Sequence, residues 1–182
     1  MRLLPKEKER LQTIKGHRKT EWLAARWLIH YMSGRKERGA LLKDKFGKPF
    51  LADSPFQISI SHSRAFAAAI AGPESVGIDI QLLVPKIERI AHKFMREAEL
   101  NSLVPETRLE HLHVYWGAKE SLYKAFGRRA LDFKKHIHIT PFQFGTSPTF
   151  EGHIYKDDFK ASYQLWYEIV EDYVLVYARE II

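Results

Sequence analysis

The 182-residue chain contains no cysteine. Disulfides and thiolate metal sites are therefore excluded, while compartment is left open. No apolar run approaches the roughly 18 residues that a membrane-spanning helix requires. The opening stretch, MRLLPKEKER, is charged and lacks the apolar centre of a signal peptide, which argues against export by that route. There is no low-complexity tract and no short-period repeat. Also missing are a Gly-Lys-Ser/Thr phosphate loop and a glycine-rich dinucleotide fingerprint. The segment Ser59-Ile60-Ser61-His62-Ser63 lacks the glycines of a nucleophile elbow, and no Ser-His-Asp order supports a hydrolase. What is present is ordinary globular material, 45% hydrophobic and 28% charged, with a net charge of +7 and a pI near 9.5. A chain of this size buries roughly 70% of its extended surface, enough for a core. The basic excess favours an anionic partner: nucleic acid, a phosphorylated metabolite or an acidic protein. Simple solubility is the plainer account.

The elements follow from periodicity. Residues 6 to 19 are strongly basic. From Glu21, the segment EWLAARWLIHYM predicts an amphipathic helix, ended at Ser33-Gly34 because glycine accepts the left-handed cap conformation. Residues 35 to 49 are polar and basic, with a turn signal at Gly47-Lys48-Pro49, and predict a surface loop. Phe56 to Ser61 and Val76 to Gln81 alternate with period two, and Phe66 to Ala71 is a second apolar run between them. Helical spacing covers about Pro85 to Leu103 and Leu109 to Phe126. Tyr163 to Val170 and Tyr173 to Tyr177 flank Glu171-Asp172 as a hairpin. Strand and helix runs without a steady βαβ rhythm predict an α+β fold.

Three places could carry chemistry. On the second long helix, Trp116, Glu120 and Lys124 recur every four residues and share a face. Leu112, Tyr115, Ala118, Leu122 and Ala125 form the opposing apolar face. A Glu followed four residues later by Lys is also a common surface pair. Asp79 lies in a strand with apolar neighbours on both sides, so it needs a cation or donors unless it sits at a polar strand end. Strand alternation puts Asp79 and Gln81 on one face and Val76, Ile78 and Ile80 on the other. Asp79 and Glu120 could offer two oxygens to a hard cation such as Mg²⁺ if the fold brings them together. Ser61 and His62 could meet phosphate oxygens, or be ordinary polar residues at a strand end.

The ordered set resembles the 4′-phosphopantetheinyl transferases. It comprises Gly47-Lys48-Pro49, Ser61-His62, Gly77-Ile78-Asp79, then Trp116-x-x-Lys119-Glu120-x-x-x-Lys124 and Gly127-x-x-x-Leu131. The spacing and the length of the N-terminal part look like the surfactin-synthetase-activating type rather than the short trimeric type. The likeness covers roughly residues 18 to 140. It implies two similar α+β halves about a pseudo-twofold axis, placed here at 1–75 and 76–182, with a nucleotide cleft between them. It further implies a cytoplasmic monomer that moves 4′-phosphopantetheine from coenzyme A to a serine of an apo carrier protein. The reaction would be that of a holo-[acyl-carrier-protein] synthase, releasing 3′,5′-ADP. By the same resemblance, Asp79 and Glu120 hold Mg²⁺, and Glu120 is also the base. Lys124 neutralises the pyrophosphate, and Ser61 and His62 contact phosphates at the nucleotide end. Lys48 and Arg18 hold the adenosine 3′-phosphate region. The expected partners are coenzyme A and an acidic carrier protein, not a nucleic acid or a membrane.

The sequence departs from that pattern twice. Many relatives carry a second acidic residue two positions after the aspartate, where this chain has Gln81, a neutral and weaker ligand. The chain also begins almost directly at the basic helix, where relatives of this type usually have a strand. Two other readings compete. One is a basic nucleic-acid-binding module whose tryptophans and tyrosines stack on bases, although most of them lie in core-like patterns. The other is a non-catalytic relative that binds carrier protein, against which Asp79, Glu120 and Lys124 count.

Overall fold

A computed structural model describes residues 3–128, 130–146 and 149–182. Met1 and Arg2, at the head of the basic N-terminal stretch, lie outside the described residues, as do Arg129, Ser147 and Pro148. The fold is α+β, as expected, with two antiparallel sheets. Strands β1 (Leu41–Lys43), β2 (Pro49–Leu51), β3 (Gln57–Ser63) and β4 (Phe66–Gly72) form one sheet in chain order. The second contains β5 (Val76–Leu82), β6 (Ile137–Ile139), β7 (Thr149–Lys156), β8 (Phe159–Val170) and β9 (Tyr173–Ile181), ordered β5-β9-β8-β7-β6. The predicted hairpin is β8–β9, and its turn places Glu171 at φ 54°.

The helices are α1 (Pro5–Thr13), α2 (Arg18–Ser33), α3 (Ile87–Phe94), α4 (Glu97–Leu100) and α5 (Arg108–Phe126). Helix α2 ends at Gly34, in the left-handed conformation at φ 61°, as its sequence predicts. It packs on the first sheet, where Ile29, Leu51 and Ile58 are buried together. Two expectations are corrected. The stretch 35–49 is not all loop: it contains β1 and the first residue of β2, paired in register Leu41↔Leu51. The helical stretch from Pro85 to Leu103 is broken at Met95–Arg96. There Glu99 turns back to accept the Arg96 backbone N–H at 2.7 Å and starts α4 afresh.

Helix α5 is the centre of the larger core. Its predicted apolar face, Leu112, Tyr115, Ala118, Leu122 and Ala125, is buried against the second sheet. The approach to β5 is very close. A Cβ on Gly77 would lie 1.8 Å from the Ser121 backbone oxygen, and one on Gly117 would lie 2.7 Å from Val176. No larger residue fits at Gly77 without moving the helix off the strand. Lys119 points away from the face of Trp116 and Glu120. It is fully buried, and donates to Glu99 Oε1 (2.9 Å), the Ile137 carbonyl (2.8 Å) and the Phe133 carbonyl (3.0 Å). Those bonds fix the rotation of α5, and thereby which side chains face out of the core.

Candidate active site

The outer edge of β5, the edge not paired with β9, is closed by side chains. Ser59 Oγ accepts the Ile78 N–H, and Ser61 Oγ accepts the Ile80 N–H, both at 3.2 Å. Lys124, reaching over from α5, donates to the Ile78 carbonyl at 2.9 Å. The alternation of β3 explains the serines: Ser59 and Ser61 are buried towards β5 while Ile60 and His62 face the other way. Asp79 is 7% exposed and sits at this junction. Its Oδ1 receives Lys124 Nζ at 2.7 Å and the Ser61 hydroxyl at 2.9 Å. The charge buried in the strand thus has its cation.

Trp116, Glu120 and Lys124 do share a face. Together with Asp79, Gln81 and Ser61 they line an open recess of about 410 Å³. The carboxyl of Glu120 is pushed up, first by burial and then by the negative charge of Asp79, with Lys124 opposing. It makes no hydrogen bond to the described residues. The recess runs into a larger cleft of about 1120 Å³, with Ile60, His62 and Lys124 common to both. Arg10 and Lys15 of the N-terminal stretch line the cleft, with Arg18 and Arg26 from α2. Lys43, Lys48 and Arg128 line it from the other side, and Glu21 is the acid among the described lining residues. Arg18, Lys48 and His62 all line this cleft. The His62 ring nitrogen Nδ1 stands 3.2 Å from Glu21 Oε2. His62 faces the cleft from within β3, which continues to Ser63.

Two of these residues are engaged within the protein itself. Ser61 donates its one proton to Asp79 and accepts from both Ile80 N–H and Lys124, which fills a hydroxyl's capacity. In the free protein it organises its neighbours. Gln81 lines the recess, but His113 holds its amide at both ends. Gln81 Nε2 donates to the His113 carbonyl at 2.9 Å, and Oε1 lies 3.2 Å from His113 Nδ1. His113 Nε2 lies 3.0 Å from the Val84 nitrogen and 3.2 Å from the Val84 carbonyl oxygen; in the tautomer in which Nε2 accepts the Val84 N–H, Nδ1 carries the proton and donates it to Oε1. Burial lowers the His113 pKa, which favours that neutral ring. Sequence reasoning missed His113, and also missed Arg10 and Lys15, whose basic stretch folds over the cleft.

The family model of the 4′-phosphopantetheinyl transferase superfamily matches residues 75–178, more than half of the chain. The chain belongs to that superfamily. No curated protein matches it. Phosphopantetheine transfer from coenzyme A to carrier proteins is the activity associated with the family. The matched stretch contains Asp79, Gln81, Glu120 and Lys124. Arg18, Lys48, Ser61 and His62 precede it, and the fold brings them to the same cleft and recess.

The donor set fits a hard divalent cation. Asp79 keeps Oδ2 outside the bonds to Lys124 and Ser61, and Glu120 is unengaged beside it. Two carboxylates repelling one another in a partly buried recess are relieved by a cation, which would take its other ligands from water and substrate oxygens. Among the described residues, no cluster of three or more His, Asp or Glu side chains offers a fuller cage.

Proposed function

We propose that the protein transfers 4′-phosphopantetheine from coenzyme A to a serine of an apo acyl or peptidyl carrier protein, in the manner of the surfactin-synthetase-activating type and as a holo-[acyl-carrier-protein] synthase. The observation that carries this reading is the continuity of a cation-lined cleft with a recess holding Asp79, Glu120 and Lys124. Coenzyme A is strongly anionic at its nucleotide end and extended at its pantetheine end, which suits that shape and charge. Arg18, Lys48 and His62 hold the 3′-phosphate end. The 1–75 and 76–182 halves flank the nucleotide, and the enzyme works as a cytoplasmic monomer.

Asp79 and Glu120 would hold Mg²⁺, which supplies positive charge to the pyrophosphate oxygens. Glu120 accepts the proton of the carrier serine. The serine oxygen forms a bond to the phosphorus bearing pantetheine, the bridging P–O bond breaks, and 3′,5′-ADP leaves with the electron pair. Lys124 neutralises the charge that grows on the departing phosphate. Ser61 holds Asp79 and Lys124 in place for this, and Gln81, held by His113, backs the recess. The excess of basic residues suits an acidic carrier.

Incubation with coenzyme A, Mg²⁺ and a panel of apo carrier proteins tests the reading. A mass gain of one phosphopantetheine on a carrier supports it. No gain on any carrier, with salt-dependent binding of random oligonucleotide in its place, overturns it.

A further inference from the structure

We propose that Lys48 is a positioning residue, a strut that runs along the cleft wall from the β1–β2 turn to the last turn of α5, and that Gly127 is the gap through which it passes. The role is separate from the anion contact considered above, though it rests on reading the cleft as the coenzyme A site.

Lys48 is set rigidly at its own end. Asp44 Oδ1 accepts the backbone N–H groups of Phe46 (2.8 Å) and Lys48 (2.9 Å), and the Asp44 N–H donates to the Lys48 carbonyl at 3.0 Å. From that turn the side chain runs to α5, where Nζ donates to the Ala125 carbonyl at 2.7 Å, a contact between residues 77 apart in sequence. The last carbonyls of a helix lack intrahelical donors and carry the negative end of its dipole, so an ammonium group is well matched there. Ser75 Oγ donates to the same carbonyl at 3.0 Å, fixing the join between the sheets to the same point.

Gly127 explains itself by the same contact. It caps α5 at φ +68°, and a Cβ there would lie 2.3 Å from Lys48 Cδ and 3.2 Å from Cε. Any other residue would push the strut aside as well as strain the backbone. The strut ends one residue beyond Lys124, and Tyr123, Lys124, Gly127 and Arg128 line the cleft wall that it braces. Lys48 therefore fixes how far that wall stands from the β1–β2 turn.

Hydrogen exchange of the full chain without coenzyme A reads the strut without any chemistry. In Lys48→Met, amides of the last turn of α5, residues 123–127, should exchange about ten-fold faster, the effect of losing one charge-assisted bond. In transfer assays, 3′-dephospho-coenzyme A, which lacks the phosphate that Lys48 would contact, should lose kcat/KM as well as coenzyme A. Unchanged exchange, or a loss confined to coenzyme A, would make Lys48 a phosphate contact only. A double-mutant cycle guards against a general folding defect. Gly127→Ala should loosen the last turn of α5 more in the wild-type background than in Lys48→Ala, where the clash is gone. Additive effects overturn the proposal. Should exchange and the cycle behave as stated while no carrier is modified, the strut stands and the transferase reading fails.

Discussion

Lys124 Nζ lies 2.7 Å from Asp79 Oδ1, and with Ser61 Oγ and the Ile78 carbonyl this bond uses all three protons of the ammonium group. In the free protein, then, Lys124 already stands where a metal ion would compete for the same carboxylate. Replacing it by methionine removes the competitor and a positive charge. Lys124→Met is expected to bind Mg²⁺ more tightly than wild type when coenzyme A is absent, as calorimetric titration will show. The same variant should lose about a hundredfold in kcat, since it lacks the positive charge that offsets the charge growing on the leaving group. Weaker or equal metal binding would mean that the pair does not guard the site.

Glu120→Gln separates stability from activity. The folded protein raises the pKa of this carboxyl, by burial and by Asp79. A raised carboxyl binds protons more readily in the folded state, so its ionisation costs stability as pH rises from the unfolded pKa through the folded one. The variant should therefore resist denaturant better than wild type at neutral pH, with the difference closing at acid pH, and should lose most transfer activity. Near-normal turnover at saturating Mg²⁺ would remove Glu120 from its proposed role.

Gln81→Glu should act in two directions. A carboxylate cannot donate to the His113 carbonyl, and its second oxygen would sit against that carbonyl at the place where Nε2 now bonds at 2.9 Å. A loss of about 1–3 kcal/mol of stability is expected, read from denaturant unfolding without metal. The displaced oxygen faces the recess beside Asp79 and Glu120, so Mg²⁺ affinity of the free protein should rise and metal should restore part of the lost stability. Unchanged affinity would show that residue 81 cannot turn from His113 to the site.

His62→Ala should raise the KM for coenzyme A more than for its 3′-dephospho analogue, because removing both partners of a contact costs no more than removing one. Steady-state kinetics with the two substrates give the comparison. Equal sensitivity would leave the ring paired to Glu21 and away from the nucleotide phosphate.

Strand β5 and helix α5 were legible because their patterns are dense. Alternation put Asp79 and Gln81 on one face, and the apolar row from Leu112 to Ala125 fixed which side of α5 turned outward. Other parts were hidden for identifiable reasons. Helix α1 has hardly any apolar stripe: its buried residue is Glu7, held by Arg26 and Arg38, so tertiary ion pairs and not periodicity define it. Strands β1 and β2 are three residues each, and their pairing depends on the core that Leu51 reaches. The tasks of Ser59 and Ser61 depend on amides 19 residues away, and those of Gly77 and Gly117 on a neighbouring backbone or side chain. Local sequence carries no trace of such distances.

The closure of β5 by hydroxyls and an ammonium group has a consequence for how the site can drift. Ser61, Asp79 and Lys124 hold the two sheets together as well as lining the recess, so a lineage that abandoned the chemistry would still be pressed to retain them. Their persistence marks the joint, whereas Glu120, which bonds to none of the described residues, has no such second employment. With Glu120 in the role proposed above, the letter at position 120 would help to distinguish a working enzyme from a well-kept shell.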